Sequence, residues 1–188
     1  AFIVSAPSGS GKTTLCNKLI NSGLGLARSV SATTRKIRKG EKEGVDYYFL
    51  SEGDFKKQLK RGGFLEHAKI FGNFYGTPKD FVLQTLHAGK DILLAIDVHG
   101  AMKIKRSLKA EKVFIFIMPP SMAALEKRLK ARSADSEAQI SKRLKTAKRE
   151  LSFVSKYEYT VVNDSLEQAF SDLKCIIKAE RSRRLRKS

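Results

Sequence analysis

The chain has 188 residues, 41% hydrophobic and 30% charged, a balance that suits one domain with its own core and excludes a disordered or disulfide-stapled chain. Lys and Arg number 37 against 19 Asp and Glu, and the resulting charge of +18 calls for an anionic partner: nucleic acid, anionic lipid or a polyphosphate nucleotide. The longest apolar runs, such as 92–96 and 113–118, fall far short of the roughly 20 residues that span a bilayer. No secretory signal is visible, and the expected setting is the cytoplasm. Cys16 and Cys175 both sit in apolar helical patterns and read as reduced, half-buried thiols, while His67, His87 and His99 have no metal-ligand spacing.

Residues 2–6 read as a short apolar strand, and a Gly-rich turn leads from it into a helix over 12–22 stopped by Gly23. A polar, basic region follows, with strand-like stretches at 29–34 and 47–50. Ser51 stands three residues before Asp54, a capping signature, with Phe55 and Leu59 paired behind it and Gly62-Gly63 ending the short helix. Residues 64–77 read as strand and turn, and Pro78 opens a helix that stops at Gly89. A buried strand at 92–97 ends in an acid, a helix follows Gly100, and 113–118 is the next buried strand. Ser121 caps a helix reaching Arg132, and Ser136 with Gln139 forms a capping box ahead of the face made by Ile140, Leu144, Ala147 and Leu151. Residues 160–162 make the last strand. Ser165 and Gln168 open the final helix, with Leu166, Phe170, Leu173 and Ile177 inward and a basic, solvated end at 181–187.

Four apolar strands alternating with helices predict an α/β fold, a parallel sheet covered on both faces. Residues 31–83 break the alternation as an inserted lobe, and the highly charged 132–149 reads as a mobile flap.

The most specific motif is Ala6-Pro7-Ser8-Gly9-Ser10-Gly11-Lys12-Thr13. It follows the phosphate-loop pattern GxxxxGK[ST] between a strand and a helix, except that Ala6 replaces the first Gly. Gly9 and Gly11 let successive N–H groups turn inward as a nest, and the helix N-terminus adds its positive end. Lys12 is placed to reach the β and γ phosphates, and Thr13 to offer a hydroxyl to Mg²⁺.

The inserted lobe carries features of an acceptor site. Arg35 and Arg38 stand three apart, where two guanidinium forks grip one phosphate, and Tyr47 and Tyr75 supply phenolic donors to the same anion. Glu66 follows an apolar strand stretch, where a carboxylate accepts from the paired N–H donors on the Watson–Crick edge of guanine, which adenine lacks.

These residues, taken in order, make the chain resemble the guanylate kinase family from residue 2 to about 178. The resemblance is carried by Ser5-Ala6-Pro7-Ser8-Gly9-Ser10-Gly11-Lys12-Thr13, Ser31-Ala32-Thr33-Thr34-Arg35 with Arg38, Gly40 and Glu41, Asp46-Tyr47-Tyr48-Phe49, and Phe64-Leu65-Glu66. It continues in Gly72-Asn73-Phe74-Tyr75-Gly76-Thr77, Ile96-Asp97, Pro119-Pro120-Ser121, Arg128-Leu129-Lys130-Ala131-Arg132, Ile140-Ser141-Lys142-Arg143-Leu144 and Val162-Asn163-Asp164. The resemblance implies a three-layer P-loop NTPase fold and an ATP:GMP phosphotransferase using Mg²⁺, monomeric or homodimeric, with no obligatory nucleic acid and no membrane. It implies a core of 1–30, 84–131 and 150–188, a GMP-binding lobe at 31–83 and a lid at 132–149. Ser8, Gly9, Ser10, Gly11, Lys12, Thr13 and Thr14 would hold ATP, with Asn163 and Arg132 near adenine. Arg35, Arg38, Tyr47 and Tyr75 would grip the GMP phosphate, with Ser31, Glu66 and Thr77 reading guanine and Asp97 at the substrate junction. Lys12, Arg35, Arg128, Arg132 and Arg143 would act on the transferring group, and Thr13 on the metal.

Departures from the family pattern are Ile37 for a usual Pro, Ala95 for an Asp, His99 for Gln and Ser133 for Gly. Ala95 removes a carboxylate near the expected metal, so Thr13, the phosphates and water carry it, with at most help from Asp97. The rivals are a catalytically silent guanylate-kinase-like module binding phosphorylated peptides, which the nearly complete loop argues against, and a nucleic-acid binder, for which no groove-reading helix or stacking platform is present. A third rival, another nucleoside monophosphate kinase, is disfavoured by Glu66.

Overall fold

The computed structural model describes residues 1–70, 72–132 and 136–185, and the side chains of all these except 132, 184 and 185. Ser133, the side chain of Arg132 and the end of the 181–187 run therefore lie outside the described residues.

Nine strands and seven α-helices are described, in the order β1 (Phe2–Ser5), α1 (Lys12–Ile20), β2 (Ala27–Arg28), β3 (Ser31–Thr33), β4 (Tyr47–Phe49), α2 (Glu52–Lys60), β5 (Phe64–Ile70), β6 (Asn73–Pro78), α3 (Lys79–His87), β7 (Ile92–Ala95), α4 (Val98–Ser107), β8 (Val113–Met118), α5 (Met122–Arg132), α6 (Glu137–Leu151), β9 (Tyr159–Val162) and α7 (Leu166–Leu185). The main sheet has the order β2-β7-β1-β8-β9, and every pairing in it is parallel.

Period-two alternation divides the strand side chains between two cores, as a sheet covered on both faces requires. Phe2, Val4, Leu93, Ile115 and Ile117 pack with Leu15 and Leu19 of α1 and Leu173 and Ile177 of α7. Ile3, Ile92, Leu94, Phe114 and Phe116 pack on the other face with Val82 of α3 and Ala101 and Ile104 of α4. Fully burying one such side chain contributes about 1.5–3 kcal/mol.

A second, mixed sheet of order β4-β3-β6-β5 forms from residues 31–78. Its own apolar centre is Phe55 of α2, fully buried and stacked on Phe64 at 4.5 Å and Phe74 at 5.4 Å. The expected Ser51 cap is present, with the Asp54 amide donating to its hydroxyl at 3.1 Å. The Ser136–Gln139 capping box starts α6, whose Ile140 and Ala147 pack on Leu125 and Leu129 of α5.

Some expectations shift. The main sheet has a fifth strand, β2, a two-residue edge too short to show any periodicity. α4 begins at Val98 rather than after Gly100, because Asp97 caps it and ends the strand at Ala95. Cys16 is buried, but Cys175 lies on the exposed side of α7.

Candidate active site

Past β1 the chain turns tightly, with the Ser10 amide donating to Pro7 O at 3.1 Å, and enters α1. Gly9 and Gly11 adopt φ of 94° and 87°, a region that costs a side-chain-bearing residue strain. Space forbids a side chain at Gly11 as well: its Cβ would lie 2.3 Å from Asn163 Nδ2. That amide reaches across from the end of β9 and donates to Ser10 O at 2.8 Å. Arg128 of α5 donates in turn to Asn163 O at 3.0 Å. The loop is therefore held by two elements remote in sequence.

The loop opens into a cavity of about 550 Å³. Ser8, Gly9, Gly11, Lys12, Thr13 and Thr14 form one side of it. Ser31, Arg38, Tyr47, Glu66 and Tyr75 of the small sheet and its loop line it too, as do Arg143, Thr146 and Glu150 of α6. Lys12 Nζ donates to Ile96 O at 2.9 Å, and burial pushes its amine below the ordinary lysine value. Asp97, also on the wall, accepts from the His99 and Gly100 amides at 2.8 and 3.1 Å.

Glu66 lies near the junction of the small sheet with α4, only 6% exposed. Thr77 Oγ1 donates to its Oε1 at 2.6 Å. Burial pushes the Glu66 carboxyl up to about 7, the Thr77 bond opposing and the Asp97 charge adding to it. Glu150 is likewise pushed up to about 7 by burial, with the Lys12 charge opposing, and faces the Ser8 amide.

An adjoining cavity of about 160 Å³ is lined by Arg35, Arg38, Tyr47, Tyr75 and Ser31. Arg35 Nη2 forks onto Glu41 at 2.7 and 3.0 Å and its guanidinium lies 5.4 Å from the Tyr47 ring centre. The Arg38 amide donates to the same Glu41 at 2.8 Å, so one carboxylate shapes the whole turn. Tyr47 and Tyr75 meet edge to face at 6.0 Å.

The Guanylate kinase family profile matches residues 1–180. A guanylate kinase of Caldanaerobacter subterraneus subsp. tengcongensis is 48% identical over 182 residues, 97% of this chain and 88% of that protein. One from Nitrosospira multiformis is 46% identical over 180 residues, covering 96% and 85%. The crystal structure of guanylate kinase from Anaplasma phagocytophilum superposes with a TM-score of 0.80 at 38% identity, over 95% of this chain and 84% of that one. This chain belongs to the guanylate kinase family.

Among guanylate kinase residues expected from the sequence, Ser8, Gly9, Gly11, Lys12, Thr13, Thr14, Ser31, Arg38, Tyr47, Glu66, Tyr75, Asp97 and Arg143 share the larger cavity. Arg35 lines the smaller one, and Thr77 stands behind Glu66. Ser10 is fully buried and presents its carbonyl to Asn163 rather than its hydroxyl to the cavity. Asn163 is itself buried beneath the loop, and Arg128 is turned onto main-chain carbonyls. The side chain of Arg132 lies outside the described residues.

Two residues were not anticipated. Glu150 sits on a charged helix with no motif around it. Gly100 leaves room that a Cβ would take from Glu66, approaching its Oε2 to 2.6 Å. The oxygen donors near the loop, Thr13 and Asp97, are of the hard kind that suits Mg²⁺, an ion that keeps waters and binds mainly through phosphates. No group of three or more His, Cys, Asp or Glu able to hold a metal is found among the described residues. No described helix is long and apolar enough to cross a membrane.

Proposed function

We propose that this chain transfers the γ-phosphoryl group of ATP to GMP, giving ADP and GDP, in the cytoplasm. One observation carries the reading: the phosphate loop and Glu66, braced from behind by Thr77, line the same cavity, so a triphosphate and a purine monophosphate would meet inside it. In this reading residues 31–83 form the acceptor lobe, 132–149 the lid and the remainder the core.

The acceptor phosphate is an anion at neutral pH, so no general base is required. The barrier is repulsion: two unit charges about 5 Å apart at an effective dielectric of about 20 repel by roughly 3 kcal/mol. Lys12 and the loop amides neutralise the donor phosphates. Arg35, Arg38, Tyr47 and Tyr75 fix the acceptor phosphate in line with them. Ionised Glu66 accepts the two guanine N–H groups, with Thr77 and Ser31 beside it. Arg143, and Arg132, reach the triphosphate as 132–149 closes and excludes water. Arg128 and Asn163 act through the loop and are positioning residues. Thr13, with at most help from Asp97, would hold a Mg²⁺ ion, which would supply neutralisation of phosphate charge.

A coupled ADP-release assay with ATP, Mg²⁺ and GMP, AMP, CMP, UMP or dTMP in turn tests the reading. Turnover with GMP alone is expected. A folded protein that binds GMP but turns over none of the five would replace this reading with the silent phosphopeptide-binding module.

A further inference from the structure

Arg28 stands outside the phosphate loop and the small sheet. It ends β2, the edge strand of the main sheet, in register with Leu93 of β7. Leu93 packs into the core on the α1 face, and Ala95, two residues further along, lies on the same face. Arg28 points that way too: its Nη1 donates to Asn17 Oδ1 of α1 at 2.6 Å. Both residues line the smaller cavity, together with Arg35, Arg38, Tyr47 and Tyr75 of the small sheet and its loop.

The charges in that cavity are unequal. Its carboxylates are Glu41 and Asp46. Glu41 is taken by the Arg35 fork and the Arg38 amide, and Asp46 Oδ2 accepts from the Lys42 amide at 2.9 Å. Ala95, two residues beyond Arg28's partner Leu93, contributes only a methyl group to the lining. Among the described residues no carboxylate pairs with Arg28, whose one hydrogen-bond partner is a neutral amide. A half-buried guanidinium held by one neutral acceptor keeps several donors for a ligand, and a cavity lined by Lys12, Arg28, Arg35 and Arg38 selects an anion.

We infer that Arg28 is a ligand of the acceptor's phosphate, gripping it from the core while Arg35 and Arg38 grip it from the small sheet. The inference rests on the proposed GMP site and adds a residue to it. One phosphate then ties the edge of the main sheet to the lobe, and Asn17 orients the fork while the site waits. Nucleobase recognition is left to Glu66, which lines the larger cavity and not the smaller one.

The test compares the wild type with Arg28→Met and Arg28→Lys. Loss of a charge-assisted contact raises the GMP KM of Arg28→Met by about tenfold or more, and Arg28→Lys recovers part of it. The ATP KM stays within about twofold, the uncertainty expected of a site that does not touch it. Calorimetry adds a second readout: GMP affinity falls in Arg28→Met, whereas guanosine, which lacks the phosphate, binds as to the wild type. Equal loss of GMP and guanosine binding, or a rise in both KM values, would show that Arg28 only braces α1 and would overturn the inference. An unchanged GMP KM would overturn it too. A wild type that neither binds nor phosphorylates GMP would instead remove the functional reading beneath it, so the two failures are distinguishable.

Discussion

A Cβ built on Gly100 would stand 2.6 Å from Glu66 Oε2, although the two residues belong to different sheets' neighbourhoods, one on α4 and one on β5. The small sheet meets the core at this contact, and the carboxylate proposed to read the base lies at it. Gly100→Ala should displace Glu66 while costing little stability, since Ala improves a helix interior by roughly 0.5–1 kcal/mol. The expected result is a GMP KM raised about tenfold or more, as for a lost charge-assisted hydrogen bond, with the ATP KM unchanged. An unchanged GMP KM would place the guanine reader elsewhere.

The raised pKa of Glu66 has a pH signature. Burial holds the folded-state carboxyl near 7, above its ordinary value of 4.5. The folded state then keeps a proton that the unfolded chain has lost, so this group's contribution makes stability fall as pH rises from about 4.5 to about 7. In the proposed site, guanine needs the ionised form as acceptor. The kcat/KM for GMP should therefore drop below pH 7, approaching tenfold per pH unit. GMP's own phosphate titrates near pH 6 and is common to every variant. Glu66→Gln should show a higher GMP KM and only that shared phosphate component in its profile, a comparison made by initial rates across pH 5.5–8.5.

The residues differ sharply in how legible they were. The phosphate loop announces itself because strand, glycine turn, lysine and helix are contiguous, and the phosphate-binding geometry is local. Caps such as Ser51 and Ser136 were readable for the same reason. Glu66 was found from its chemistry and its company, not from any pattern of its own. Asn163 meets Ser10 across 153 residues, a distance no local spacing conveys, and so its place under the loop was hidden. Glu150 and Arg28 were invisible among many other charges, because their meaning comes only from what faces them. β2 leaves no trace in the sequence, because two half-buried residues carry no period.

Lys12 donates to a backbone carbonyl at 2.9 Å in a setting where burial already disfavours its charge. Lys12→Met removes both the donor and the buried cation. Turnover should fall by about 10²–10³-fold or more, the scale for losing one preorganised donor to a developing negative charge. The melting temperature should hold or rise, which calorimetry would check. A variant with normal turnover would contradict the phosphate-loop assignment.

Asn163→Ala strips the Ser10 carbonyl of its buried partner, at an expected cost of about 1–3 kcal/mol. The ATP KM should rise and the GMP KM should not. Gly11→Ala should be worse, since it combines a φ of 87° with the 2.3 Å approach to Asn163 Nδ2. Deleting the amide removes the collision but leaves the backbone strain. The double variant should therefore be more stable than the sum of the two single losses predicts, by an amount that a double-mutant cycle measures. Strict additivity would mean that the two residues do not press on each other.

Glu150 brings a carboxylate against Lys12 and the Ser8 amide, the groups that a triphosphate is to occupy. An anion already resting there competes with the ligand. Glu150→Gln keeps the shape and removes the charge, so ATP should bind several-fold more tightly in a titration without acceptor, with GMP affinity unchanged. Stability supplies an independent readout. The folded-state pKa of about 7 exceeds the ordinary 4.5, so ionising Glu150 lowers stability as pH rises through that interval. The neutral variant escapes that loss: its melting temperature should exceed the wild type's at pH 8 and approach it at pH 4.5. If ATP instead binds more weakly to Glu150→Gln, the carboxylate is arranging Lys12 for the phosphates rather than standing in their place.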